Sequence, residues 1–591
     1  MRSSFSLVAL GALLGLTRAL EDLPVITLPW GKYRAEVFGD DEEILLFRNV
    51  RFGKEPPRFG APSFPDWEDG SIQSPDRSTT CIQINPKKLS HPPAGGNPLE
   101  DPHKSPAAQT EDCLFLDIYV PRWVYEEQDP STLLPVTVWI YGGGFAFGSK
   151  NQGGPLYTGK SALQASNYNS IFVTGNYRVG AFGWLAGDYM QQEGQPNAGL
   201  YDQALLFEWV QTYINQARGD NASVSAWGES AGAGSILHHL IREDGEVDPK
   251  FHTFAAQSPG FEWAWDNSPG GKLDTMYRNF SRLAGCDFDY NIDCLRKAPV
   301  AKLADANQNL FDLVRQTGLF PVGPAVDGKW IKNLSPISFS EDKYWKNITS
   351  GLISHVANEG YLFSPKDMDS EAKYDAFLNE FLPGSTLAPQ RTAIKAQYDC
   401  KKTWLGDYRL CVAAIIAHAV FTCNTRDLAT AYPGKSYMMD YAFPADGLAY
   451  HGSDLVPQFV TNATETEKLL EALDIEKYLI DVMAPLIDNA IKPVFQNYFA
   501  SFGLYGSPDS LGARLPWPTV VDDGDEFSDV MKVGLSWGSP FKVGSDSKNS
   551  KAKCSFWSGI AKEIVASKAT YGDSHGGLFG TQYPINGGNE L

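Results

Sequence analysis

Six short runs rich in β-branched and aromatic residues, at 134–141, 170–175, 223–227, 253–257, 351–356 and 436–441, recur along this chain. Each is the length of a strand and apolar on both faces, which is how a strand buried inside a sheet reads. Helical stretches lie between them. In 199–216, Leu200, Ala204, Phe207 and Val210 fall on one face. Strand alternating with helix predicts an α/β fold: a large, mostly parallel sheet flanked by helices. After Pro259 the rhythm breaks, and a long strandless stretch separates the runs at 253–257 and 351–356. No internal repeat or low-complexity linker marks a boundary, so we expect one domain over 20–591, with helical insertions after the fourth run. The segment between Cys81 and Cys113 carries Pro86, Pro92, Pro93, Pro98, Pro102 and Pro106 with Gly95 and Gly96, which forbids a long helix.

Composition narrows the function. Hydrophobic residues at 43% and charged residues at 20% describe a packed protein, neither disordered nor fibrous. Seventy acidic against fifty basic side chains give a net charge of -20, which repels phosphate backbones and argues against a nucleic-acid partner. Arg2, an apolar run over 5–16 and Thr17-Arg18-Ala19 read as a signal peptide over 1–19, cleaved after Ala19. No other run is long enough to span a bilayer, and 570–591 is too polar for a lipid-anchor signal. The expected location is extracellular, without integral membrane association. Eight cysteines in an exported chain should be mostly disulfides. Cys286 with Cys294 and Cys400 with Cys411 are near enough to close short loops, but spacing alone settles no pairing. Sequons at Asn221, Asn279, Asn333, Asn347 and Asn462 point to glycosylation; at Asn333, Pro336 follows the sequon's Ser335.

A nucleophilic serine needs a sharp turn that exposes its hydroxyl at the start of a helix, and Gly-x-Ser-x-Gly after a strand supplies one. The pattern occurs at Ser230, Ser536 and Ser574. Only Ser230 has the context: 224–227 leads in as a strand and 233–238 leads out with small residues that permit close packing. Ser536 runs into Ser539-Pro540 and Ser574 sits in a polar, glycine-rich tail, so both read as loop serines. Acyl transfer also needs backbone N–H donors for the oxyanion. The run ending Trp139-Ile140-Tyr141 empties into Gly142-Gly143-Gly144-Phe145. A surface turn or a phosphate loop are the alternatives, but no Gly-Lys-Ser/Thr follows. Losing one such donor costs about 3 kcal/mol of transition-state stabilisation.

These residues carry a resemblance. The run from Glu111-Asp112-Cys113-Leu114 to Tyr119-Val120-Pro121 resembles one signature of the type-B carboxylesterase/lipase family, and Gly228-Glu229-Ser230-Ala231-Gly232 resembles its serine signature. Asn176-Tyr177-Arg178-Val179-Gly180 and Asn197-Ala198-Gly199-Leu200-Tyr201-Asp202-Gln203 are similar to further landmarks, and the composition resembles secreted fungal members. The resemblance implies an α/β-hydrolase fold and a Ser-Glu-His triad. Ser230 would be nucleophile and His451 general base, with Glu359 holding the imidazole; Gly143, Gly144 and Ala231 would form the oxyanion hole. It also implies disulfides Cys81–Cys113, Cys286–Cys294 and Cys423–Cys554, which leaves Cys400 and Cys411 to pair. His238, His239, His355 and His418 then read as structural. Asn358 replaces the family's aspartate before the acid. Arg218-Gly219-Asp220-Asn221 and Gln257-Ser258-Pro259-Gly260 also depart from its pattern.

The resemblance implies a small-molecule ester substrate, and by rough alignment to the family Gly318, Leu319 and Phe320, with Trp263 or Trp265, would wall the acyl pocket. The loop between Cys81 and Cys113 has no tryptophan to stack on a quaternary ammonium, and its prolines make a poor lipase lid. A lipase or sterol esterase, an acyl transferase and a silent adhesion module of the same fold are the alternatives; the last typically lacks the serine. No ligand-spaced His/Cys cluster suggests a metal, and no cofactor is expected. Activity should fall as His451 is protonated at mildly acid pH.

Overall fold

The computed structural model describes residues 23–567 except 40, 74–78, 89–108, 128, 130, 152–155, 288–289, 314–320, 473–474, 514 and 536–538. The expected leader over 1–19, most of the proline-rich segment, Gly318, Leu319, Phe320, Ser536 and Ser574 lie outside the described residues.

The six apolar runs form strands β8 (Leu134–Ile140), β9 (Ile171–Gly175), β10 (Gly219–Glu229), β11 (Thr253–Gln257), β12 (Ser350–Val356) and β13 (Ser436–Tyr441). Together with β15 (Phe527–Val533) they lie side by side in the order β9-β8-β10-β11-β12-β13-β15, every neighbouring pair parallel. β12 is buried at every residue and β11 at all but its first. This two-sided burial explains why these strands read as continuous apolar runs. Antiparallel strands extend both edges. On one side stand β7 (Phe115–Pro121), β4 (Ile44–Arg51) and β3 (Glu36–Val37); on the other, β14 (Val521–Asp522) and β16 (Phe541–Asp546) both pair with β15. β3 and β14 escape a search for apolar runs because they are two residues long, and register shifts interrupt β4 between Phe47 and Val50 and β15 between Phe527 and Val530.

β10 begins four residues earlier than its apolar run. Arg218 adopts φ 63° and its carbonyl accepts from Leu134 N–H, so Arg218-Gly219-Asp220 is the turn into a strand. Helix Ala198–Tyr213 packs beneath, ending close to the expected helical stretch.

All four disulfides form: Cys81–Cys113, Cys286–Cys294, Cys400–Cys411 and Cys423–Cys554. Cys423–Cys554 joins the helix Cys423–Ala431 to the helix Lys551–Ala566. The first belongs to Tyr408–Ala431, long and apolar enough to cross a membrane, but 67% of its most apolar window is buried against the rest of the chain. Two disulfides hold it there. Among the sequons, Asn347 and Asn462 are exposed, while Asn333 and Asn221 are half-buried. Asn279 corrects the expectation: it is 5% exposed inside the helix Lys272–Leu283, where a glycan has no room.

A buried ionic cluster closes the β12-β13-β15-β16 side of the sheet. His355 Nε2 lies 2.7 Å from Asp546 Oδ2, and Lys532 and Lys548 each reach Asp440 Oδ2 at 2.6 Å. Burial alone would lower the His355 pKa, but Asp546 and Asp440 overcome it and raise it to about 9. A raised folded-state pKa stabilises fully below the ordinary value of 6.5 and loses that contribution as pH rises through about 9. The pH-dependent term is about 3 kcal/mol. Thermal unfolding midpoints measured from neutral to alkaline pH should therefore fall in the native protein, and His355→Asn, less stable at neutral pH, should lack most of that alkaline decline.

Candidate active site

β10 ends at Glu229, and Ser230 turns the chain with φ 58° and ψ -125° into the helix Ala231–Leu240. Such a backbone is strained for a residue with a Cβ. The surroundings hold it: Ser230 N–H donates to Gln257 O at the end of β11, while Ser230 O accepts from Gly234 and Gly260. Gly228 and Gly232 are glycines because strand and helix cross in contact. A Cβ on Gly228 would stand 2.7 Å from the Gly232 carbonyl carbon, and one on Gly232 would collide with Ile140 O.

β8 leads into the glycine run beside this turn. A Cβ on Gly142 would stand 2.9 Å from Ser230 Cβ, so the loop lies against the serine. Gly143 and Gly144 take φ 108° and 60°, and a Cβ on Gly143 would run into the Phe147 carbonyl. The Gly143 carbonyl is tied down by Ala146 and Phe147 N–H. Ala231 opens its helix, where the first amides have no acceptor one turn back and the dipole favours negative charge.

Glu359 follows β12 and His451 follows β13, so serine, carboxylate and imidazole gather at the carboxyl ends of parallel strands, the usual site of ligand crevices in open α/β sheets. His451 Nε2 is 2.7 Å from Ser230 Oγ, and His451 Nδ1 is 2.6 Å from Glu359 Oε2. Glu359 Oε1 accepts from Val356 N–H at 2.8 Å, which aims the carboxylate. Asn358, the departure noted above, links the two loops: its N–H donates to Ala449 O and its Nδ2 to Gly447 O.

The sequence reading missed Glu229. Its Oε1 lies 3.3 Å from His451 Nε2, and the residue is 4% exposed. Nothing in Gly-x-Ser-x-Gly specifies which way the second residue points, so only the folded strand could reveal it. Burial pushes Glu229 up to about 8, with Asp454 and Glu359 adding to the rise and His451 opposing it. Asp454, held by Gln257 Nε2 at 2.8 Å, is raised to about 6, mainly by burial. For His451, burial works downward and the Glu229 and Glu359 charges lift it to about 9. Glu229 lifts the imidazole only when ionised, so the two groups titrate as a pair, and the direction is upward for both.

Phe421 and Phe363 pack on the imidazole, with ring centroids at 4.6 and 5.1 Å. Trp263 is buried among Phe381 and Trp557, and Trp265 is half-buried with its indole nitrogen unpartnered. His238, His239 and His418 are lowered by burial to about 4, 3 and 3, as neutral structural histidines would be.

The strand order, the serine turn and the glycine loop define a class of α/β hydrolase, and comparison with known proteins narrows it. A model of the carboxylesterase family matches residues 22–557. A secreted lipase from Arthroderma benhamiae is 32% identical over 577 residues, covering 95% of this chain and 97% of that protein. Carboxylesterase patB from Aspergillus clavatus is 28% identical, covering 91% and 96%. The crystal structure of Aspergillus niger EstA superposes with TM-score 0.72 at 22% identity, over 93% of this chain and 99% of that one. The chain belongs to the carboxylesterase family; it is a carboxylic ester hydrolase of the α/β-hydrolase fold.

With both carboxylates raising His451, the acid limb of activity should lie above the ordinary histidine pKa of 6.5. Removing the Glu229 charge lowers the imidazole pKa, so in Glu229→Gln a kcat/KM profile should show that limb displaced toward acid by about one unit. A displacement toward alkali would contradict the assignment.

Proposed function

We propose that the protein is a secreted serine carboxylesterase of one catalytic domain over 20–591, working through an acyl-enzyme. The observation that carries this reading is the unbroken chain Glu359–His451–Ser230, with links of 2.6 and 2.7 Å. Ser230 Oγ attacks the ester carbonyl while His451 Nε2 takes its proton. The carbonyl oxygen becomes an oxyanion on the N–H groups of Gly143, Gly144 and Ala231. Collapse breaks the bond to the alcohol oxygen, which leaves with the proton from His451, and the acyl group remains on Ser230. Water then attacks, gives its proton to His451, and the carboxylic acid departs as Ser230 recovers a proton. Glu359 keeps Nδ1 protonated and stabilises the imidazolium.

Export is supported by the leader-like 1–19, the four disulfides and a relative that is itself called a secreted lipase. That relative also favours a second reading, a lipase, with a sterol esterase of the same family as the further alternative. The silent adhesion module fits poorly, because Ser230, Glu359 and His451 are all present and bonded to one another.

Hydrolysis of p-nitrophenyl esters from acetate to palmitate should be fastest on short and medium chains, and Ser230→Ala should lower kcat by about 10⁴-fold or more. A palmitate preference with a rate jump above the solubility limit would move the assignment to lipase. No turnover of any ester by folded, disulfide-intact protein would refute it.

A further inference from the structure

We propose that Arg409, Tyr361 and Tyr450 are positioning residues, a cation-on-ring stack that ties the Glu359 loop to the His451 loop and so sets the bond between them. The proposal rests on the roles given to Glu359 and His451 above. β12 and β13 stop pairing at Val356 and Tyr441, and the chain from 442 to 450 leaves the sheet before it delivers His451. Beyond that point the loops are joined through Asn358 alone among the ties already described, by its isolated parallel bridge to Tyr450 and its bonds to Ala449 O and Gly447 O. A hydrogen bond of 2.6 Å tolerates little drift, since catalytic groups work within about 0.5 Å of their geometry.

The stack adds a side-chain constraint next to the two groups themselves. Tyr361, two residues after Glu359, and Tyr450, directly before His451, lie ring on ring with centroids 5.5 Å apart and planes 20° from parallel. The Arg409 guanidinium covers the Tyr361 ring 4.0 Å from its centroid, and its Nη1 donates to the Tyr361 hydroxyl at 3.0 Å. Among the described residues no carboxylate lies within ion-pair distance of Arg409, although the chain carries a charge of -20. Its cation rests on the Tyr361 ring, an attraction of about 0.5–2 kcal/mol. The backbone repeats the tie, for Ser364 Oγ donates to Arg409 O at 3.1 Å.

Arg409 stands in the helix Tyr408–Ile416, pinned at Cys411 by its disulfide to Cys400. The same helix continues through a π-helical turn, Ala417–Thr422, whose Phe421 packs on the His451 ring, and then into the segment bonded through Cys423 to Cys554. One disulfide-clamped helix therefore touches Tyr361, beside Glu359, near one end and the His451 ring near the other. π-Turns within α-helices collect at functional sites.

The test is steady-state kinetics on p-nitrophenyl butyrate, with thermal unfolding as the folding control. Tyr450→Leu and Tyr361→Leu should each lower kcat about tenfold or more with KM within about twofold, while Tyr450→Phe, which keeps the ring, should stay near the native rate. Arg409→Met should lose a few-fold, and should add nothing to Tyr361→Leu, because both remove one interaction. An unchanged kcat in Tyr450→Leu, a raised KM with kcat unchanged, or a Tyr450→Phe as slow as Tyr450→Leu would overturn the proposal. Should the leucine variants not fold, the half-exposed Arg409→Met decides: an undiminished kcat there overturns it. A native protein inactive on every ester would refute the esterase assignment instead, so the two failures are distinguishable.

Discussion

The turn at Ser230 is the constraint on which the rest depends. A side-chain-bearing residue at φ 58° is held only where its neighbours leave no alternative, and here those neighbours are the two central strands. Gly228 and Gly232 let β10 and the following helix approach to contact, and Gln257 and Gly260 bind the serine's own amide and carbonyl. Gly260 is itself crowded, lying where any Cβ would strike the Phe421 ring that packs on His451. The nucleophile turn, the β11 exit and the helix backing the imidazole are thus one packed unit.

Around that unit the family landmarks turn out to be buried polar ties rather than chemistry. Arg178 forks onto Asp202 at 2.7 and 2.8 Å, joining one landmark to another. Asp117 accepts from the Lys150 ammonium at 2.7 Å, both fully buried, and from Asn49 N–H at 2.6 Å. Asn197, at φ 56°, bridges Ala325 O and Asp327. A buried charge without its partner is strongly destabilising, so each pair makes one loop's position conditional on another's.

The central strands were legible because parallel strands are buried on both faces and need no partner to look apolar. Ser230 and the glycine run were legible because each demands residue types that little else tolerates, whereas the histidine loop was expected from the family resemblance alone. The edge strands were not, since bulges and half-exposure blur their pattern. Nor was the long apolar helix Tyr408–Ala431, or the burial of Asn279: periodicity describes which residues share a face, not what covers it.

The amino-acid order by itself determined the sheet's centre and the serine turn, because those depend on local sterics and on hydrophobic runs. Tertiary structure alone decided that Glu229 faces His451, that Asn358 joins the loops carrying Glu359 and His451, and that Arg409 rests on Tyr361 beside Tyr450. Each of these is a meeting of side chains far apart in sequence. Its distance is set by how strands and helices stack, which no local pattern encodes.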